Sequence, residues 1–119
     1  MSDRSHILVV DDEPLIVDAL RHLFEWRGLR VSTAANGLEA LRQLSANPVD
    51  AVVTDITMPG YGGADLIAAI RRDDPTPPII LLTADDQAAR ILVGLGNVQI
   101  LRKPAGIDAI LAALGRALA

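Results

Sequence analysis

Three short, largely aliphatic runs constrain this chain more than any other feature: Ile7-Leu8-Val9-Val10, Ala51-Val52-Val53-Thr54 and Ile79-Ile80-Leu81-Leu82. Each is continuous rather than alternating, so each reads as a strand buried on both faces. Each also stops abruptly, the first at Asp11-Asp12-Glu13, the second at Asp55 and the third at Thr83. Between them, apolar residues recur every three or four positions, the spacing of one helix face. Leu15, Ile16, Ala19, Leu20, Leu23 and Phe24 form such a stripe after Pro14, which suits a first helical turn, and Gly28 stands where a C-terminal cap belongs. Leu29 to Ala34 alternates weakly as a second strand, and Leu38, Leu41 and Leu44 mark a second helix between Asn36-Gly37 and Asn47-Pro48. Leu66, Ile67 and Ile70 give a third helix its apolar face, ended by Asp74 to Pro78. Ala88, Ile91, Leu92 and Leu95 predict a short fourth helix, Val98 to Leu101 a fifth strand, and Ile107, Ile110, Leu111, Leu114 and Leu118 a fifth helix.

Strands this apolar need cover on both faces, and their alternation with helices predicts parallel pairing through right-handed crossovers. The expected fold is α/β: an open, doubly wound sheet of five parallel strands with five helices. At 119 residues, half of them hydrophobic, a single domain spanning 1–119 is expected. The absence of cysteine excludes a disulfide scaffold and any thiolate metal site. A net charge of −4 argues against direct nucleic-acid binding as the main function. Met-Ser-Asp-Arg-Ser-His lacks the apolar core of a signal peptide, and no apolar run approaches the roughly 20 residues that span a bilayer. A cytoplasmic setting without a membrane partner is the expectation.

In sheets of this kind ligands sit outside the carboxyl ends of the strands. Asp11 and Asp12 follow strand one, Asp55 ends strand three, Thr83 ends strand four, and Lys103 ends strand five. Lys103 is also the only lysine among 11 basic residues. Parallel topology brings these groups to one edge. Three carboxylates there repel one another, so protons or a cation must compensate. Mg²⁺, which takes oxygen ligands and keeps several waters, fits two carboxylates and a backbone carbonyl. An aspartate beside a divalent ion, an ammonium and a hydroxyl makes a phosphoryl-transfer site, with Asp55 as nucleophile and Thr83 donating a hydrogen bond.

At this point the sequence resembles the receiver domain of two-component response regulators. The resemblance rests on Val9-Val10-Asp11-Asp12-Glu13, then Val53-Thr54-Asp55-Ile56-Thr57-Met58-Pro59-Gly60, then Leu82-Thr83-Ala84, then Lys103-Pro104, in order along essentially the whole chain. It implies a flavodoxin-like, CheY-like strand order of 2-1-3-4-5. It also implies that Asp55 accepts a phosphoryl group from a histidine kinase or phosphotransfer protein, in a Mg²⁺-dependent reaction. Asp12 would ligate the ion directly and Asp11 through water, with Asp55 and the backbone carbonyl of Thr57 completing the protein ligands. Thr83 and Lys103 would bind phosphoryl oxygens, and the Lys103-Pro104 bond would be cis. Such a domain is a signalling module rather than an enzyme, catalysing only its own phosphorylation and dephosphorylation, and is a monomer or weak homodimer handing its state to a downstream protein or domain.

Two departures from the family pattern bear on output. Ile100 stands where the family places an aromatic residue, three positions before the lysine, and the stretch from Thr83 to Gly96 is about two residues short. A short, shifted or poorly formed fourth helix and an atypical output face are therefore expected. Two other readings use the same residues. A phosphate-independent interaction module would keep the pocket without its chemistry. A Mg²⁺-dependent phosphohydrolase would carry a second acid two residues after the nucleophile, where this chain has Thr57. Plainer roles exist for single residues: Asp11-Asp12-Glu13 as an acidic helix start and Thr83 as a helix N-cap. His6 and His22 read as surface residues, Phe24 and Trp26 as packing residues. Gly60, Gly62 and Gly63 read as turn formers, since they lack phosphate-loop spacing.

Overall fold

The computed structural model describes residues 5–56, 63–73, 77–84, 90, 94 and 96–119. Its elements run β1 (His6–Val10), α1 (Pro14–Trp26), β2 (Arg30–Ala34), α2 (Gly37–Ala46), β3 (Ala51–Asp55), α3 (Gly63–Asp73), β4 (Ile79–Thr83), β5 (Val98–Arg102) and α4 (Ile107–Leu118). The strands form one sheet in the order β2-β1-β3-β4-β5, and every neighbouring pair is parallel. Four helices lie among the described residues. The predicted fourth one, built on Ala88, Ile91, Leu92 and Leu95, lies outside them, and the predicted fifth is α4.

Burial follows position in the sheet. Every residue of the central strands β3 and β4 is buried, whereas β5, at one edge, is half-buried and β2, at the other, is mixed. Successive side chains point to opposite faces, which produces two cores. Leu8, Val10, Val52, Ile79 and Leu81 pack with Leu66, Ile67 and Ile70 of α3 and Ala40 of α2. Ile7, Val9, Val53, Ile80 and Leu82 pack with Leu20 and Phe24 of α1 and Ile110 and Leu114 of α4.

Local chemistry sets the helix ends. Pro14 opens α1, and past its C-terminus Gly28 adopts φ 85°. There the Gly28 amide donates to the Glu25 carbonyl at 2.9 Å and the Leu29 amide to the Phe24 carbonyl at 3.1 Å. This paired capping bond needs a left-handed residue, which glycine supplies without strain. At α2 the Asn36 side chain accepts from the Glu39 amide, and the Glu39 carboxylate reaches back to the Ala35 amide.

Four apolar residues depart from their expected burial. Leu15 is 84% exposed, Trp26 79%, Ile107 58% and Leu38 51%. Leu15, Leu38 and Ile107 each stand in the first turn of a helix, beyond the carboxyl edge of the sheet, where helical spacing continues but no strand lies beneath. Trp26 is not the packing residue expected. It is the last residue of α1, with the Arg27 guanidinium carbon 5.6 Å from its ring centroid. Phe24, two residues earlier, is fully buried.

Candidate functional site

The strand register gathers the site. Val10 pairs with Thr54, so Asp11 and Asp55, each one residue further, emerge side by side at the ends of β1 and β3. Asp55 pairs with Leu82 and Thr83 with Arg102, which places Thr83 and Lys103 just beyond Asp55 on the neighbouring strands. Topology alone thus joins residues 92 positions apart in sequence.

Hydrogen bonds fix each strand end. The Asp11 amide donates to the Ala34 carbonyl at 3.1 Å, prolonging the β1–β2 pairing, and its Oδ1 accepts from the Glu13 amide at 3.0 Å. That side-chain bond turns the chain into α1 and leaves Asp12 exposed while Asp11 is buried. At the other side of the site the Lys103 amide donates to the Thr83 carbonyl at 2.8 Å. The Lys103-Pro104 bond is cis, as the resemblance implied. Lys103 Nζ lies 3.0 Å from Asp55 Oδ1, with Asp55 almost fully buried and the lysine half-exposed.

Ligand oxygens of Asp11, Asp12 and Asp55 all fall within 4.8 Å of one another. Like charges about 4 Å apart repel by roughly 4 kcal/mol at an effective dielectric near 20. Lys103 cannot balance three of them. Three carboxylates against one ammonium leave two negative charges, the charge of one divalent cation. Burial is the main cause pushing the Asp11 carboxyl above its ordinary value, with Asp55 and Asp12 adding to it; the Glu13 amide and Lys103 pull the other way. An all-oxygen donor set with this excess charge suits a hard ion such as Mg²⁺.

The sequence-predicted residues divide clearly. Asp11, Asp12, Asp55 and Lys103 come together. Thr83 is fully buried at the end of β4, its carbonyl bound to the Lys103 amide. Thr57, expected to offer a carbonyl, lies outside the described residues. Ile100 is half-buried against the core beneath α2 and α3. His22 is exposed as expected, but His6 is half-buried, its Nε2 2.6 Å from Ser32 Oγ at the opposite edge of the sheet.

Two residues beside Asp55 escaped sequence reasoning. Gly63 opens α3 so close to the site that a Cβ there would press on the Asp55 carbonyl oxygen and come within 2.7 Å of Ile56 Cα. Thr54 donates its buried hydroxyl to that same carbonyl at 2.9 Å. A hydroxyl inside an otherwise aliphatic strand, and a glycine eight residues after its terminal acid, were the available clues. Next to Lys103, an apolar groove of about 620 Å³ runs between the first turns of α1 and α4, lined by Leu15, Ile16, Ala105 and Ile107 among others.

The response regulator receiver domain family matches residues 7–115 of this chain. The chain belongs to that family. The receiver domain is 35% identical over 113 residues to the transcriptional regulatory protein KdpE of Mycobacterium tuberculosis, covering 94% of this chain and 50% of that one. It is 38% identical over 102 residues to the response regulator SaeR of Staphylococcus aureus, covering 84% and 44%. The chain therefore spans about half the length of the curated relatives it matches. Among solved structures it is similar to the chemotaxis protein CheY4 of Vibrio cholerae, with a TM-score of 0.89 at 28% identity, covering 97% of this chain and 99% of that one. A response regulator receiver domain from Clostridium thermocellum gives 0.86 at 32%, covering 96% and 94%. The protein is a signalling module of the two-component type, and none of its described helices is long and apolar enough to cross a membrane.

Proposed function

We propose that this receiver domain is a phosphorylation switch that takes a phosphoryl group from a histidine kinase or phosphotransfer protein onto Asp55. The observation carrying this reading is Lys103 Nζ at 3.0 Å from Asp55 Oδ1, beside an acid pair whose oxygens lie within 4.8 Å of Asp55. An Asp55 carboxylate oxygen forms the new bond to phosphorus; the phosphorus–nitrogen bond of phosphohistidine breaks, and the imidazole keeps its electron pair. Lys103 offers an ammonium to the phosphoryl oxygens, and Thr83 a hydroxyl. Asp11, Asp12 and Asp55, with the carbonyl of Thr57, would hold Mg²⁺, which neutralises phosphoryl charge during transfer. Water attack on phosphorus then breaks the bond to Asp55 and restores the carboxylate. The added charge and acceptor oxygens of the acyl phosphate draw Thr83 and its loop inward. Output passes to a downstream protein or domain through a face that has Ile100 in place of an aromatic residue.

The kinase has to present its phosphohistidine at the carboxyl edge. Exposed Leu15 and Ile107 flank the groove there, continuous with Lys103, and supply apolar surface for it. Incubation with acetyl phosphate and Mg²⁺ should add one phosphoryl mass to the parent chain and none to Asp55→Asn. A parent chain of unchanged mass, or a variant that still gains it, overturns the reading.

A further inference from the structure

We infer that Thr54 is a positioning residue for Asp55: its buried hydroxyl, with space made by Gly63, fixes the backbone carbonyl of the phosphoacceptor and so the direction its carboxylate takes. The inference rests on the reading of Asp55 as the phosphoacceptor and deepens it.

The placement of Thr54 is the starting point. It follows Ala51, Val52 and Val53 in one of the two fully buried strands, and all four are no more than 1% exposed. Valine would have the same branched shape there without a polar atom needing a partner. A hydroxyl taken out of water is unfavourable unless it is hydrogen-bonded. This one donates to the carbonyl of the next residue, Asp55, at 2.9 Å. The bond falls where the β1 side of the sheet stops helping: the register of β3 with β1 ends at the Val10–Thr54 pair, one residue short of Asp55, while on the other side Asp55 still pairs with Leu82 of β4.

The same carbonyl is closed in from the other side. Gly63 packs so tightly on it that no side chain fits at that position. The Gly63 amide donates to the Ile56 carbonyl at 3.0 Å, and the Ile56 amide to the Leu82 carbonyl of β4 at 3.2 Å. The chain thus leaves the site after Ile56 and returns at Gly63, clasped at its base. Within this clasp the Asp55 peptide has the Thr54 hydroxyl on its oxygen and α3 behind it. Displacement of that peptide would carry the Asp55 Cα with it and so shift the carboxylate relative to Lys103 Nζ and the acid pair. It would also change the course on which the chain departs toward Thr57. Reactions that depend on alignment at contact distance are sensitive to such changes.

Thr54→Val, Thr54→Ser and the parent chain would be compared for phosphoryl uptake from acetyl phosphate and Mg²⁺, with thermal denaturation in parallel. In this reaction an Asp55 oxygen displaces acetate from phosphorus. Thr54→Val is expected to lower the maximal rate by about tenfold while the half-saturating acetyl phosphate concentration changes by less than about twofold. Thr54→Ser, which keeps the hydroxyl, should return to within about twofold of the parent rate. A valine variant that melts at a lower temperature yet reacts at the parent rate marks a merely structural hydroxyl and overturns the inference. So does a serine variant as slow as valine. Should valine fail to fold, Thr54→Ala removes the hydroxyl without adding a methyl group and carries the same expectation. A parent chain that takes up no phosphoryl group removes the reading on which the inference stands; a labelled parent with an equally fast Thr54→Val removes the inference alone.

Discussion

Strand β3 has an aspartate at each end, and the two live differently. Asp50, just before the strand, is exposed and accepts the His6 amide on Oδ2 at 2.7 Å, while its own amide donates to the His6 carbonyl at 2.7 Å. Asp55, at the far end, is buried between two other acids and the lone lysine. The contrast extends to the whole sheet. At the amino edge, Arg71 donates to the carbonyls of Pro77, Gly96 and Asn97 at 2.7, 2.9 and 3.0 Å, tying α3 to the starts of β4 and β5. There charged side chains close backbone hydrogen bonds and support the fold. At the carboxyl edge they are crowded with like charge, which works against it. Stability does not explain that second arrangement; the proposed cation and phosphoryl group would.

The contrast can be broken most sharply at Lys103. Lys103→Met should slow phosphoryl uptake from acetyl phosphate by about 100-fold, since an ammonium aimed at developing charge is lost. Asp50→Asn, at the opposite end of the strand, should leave that rate unchanged. Equal rates for Lys103→Met and the parent would dissolve the distinction between the two edges. The next largest effect concerns the groove. Leu15→Asp should reduce transfer from the cognate kinase by about tenfold and leave uptake from acetyl phosphate untouched, because only the protein donor needs that apolar surface. A variant impaired with both donors would place Leu15 in the chemistry instead.

At the amino edge the expected loss is in stability. Removing the guanidinium in Arg71→Ala should cost about 1 to 2 kcal/mol, the scale of charge-assisted hydrogen bonds at a partly exposed site, as read from urea unfolding. Phosphoryl uptake should not change. The smallest effect is pH-dependent and of opposite sign. With its folded-state carboxyl raised above the ordinary 3.8, Asp11 binds its proton more tightly in the folded than in the unfolded chain. Its contribution to stability is therefore full below pH 3.8 and is lost as pH rises through the folded value. In metal-free buffer at neutral pH, Asp11→Asn should raise the melting temperature, and the gain should vanish as pH falls below 3.8. A variant less stable than the parent at neutral pH would show that the charge at this edge supports the fold after all.

Much of this was legible in the chain because parallel topology follows from buried aliphatic runs, and runs that stop on acids announce where the site lies. Asp11, Asp12, Asp55 and Lys103 each stand at a strand end that the sequence alone marks. The errors share a physical cause. Helical periodicity counts apolar residues without knowing how far the sheet extends beneath them, so Leu15, Ile107 and Trp26 read as core. His6 read as a surface residue because its partner, Ser32, is reached across the β1–β2 pairing and not along the chain. Thr54 and Gly63 act through one backbone carbonyl. Residue-type reasoning attends to side-chain chemistry, and so a threonine in a strand and a glycine in a loop passed as ordinary.

The atom that receives phosphorus decides whether Asp55 is the phosphoacceptor. The chain would be loaded with acetyl phosphate and Mg²⁺, reduced with borohydride to convert an aspartyl phosphate to homoserine, digested, and mapped by tandem mass spectrometry. The expected result is homoserine at position 55 and nowhere else. Homoserine at Asp11 or Asp12, or phosphorus recovered on a hydroxyl or histidine, would contradict it.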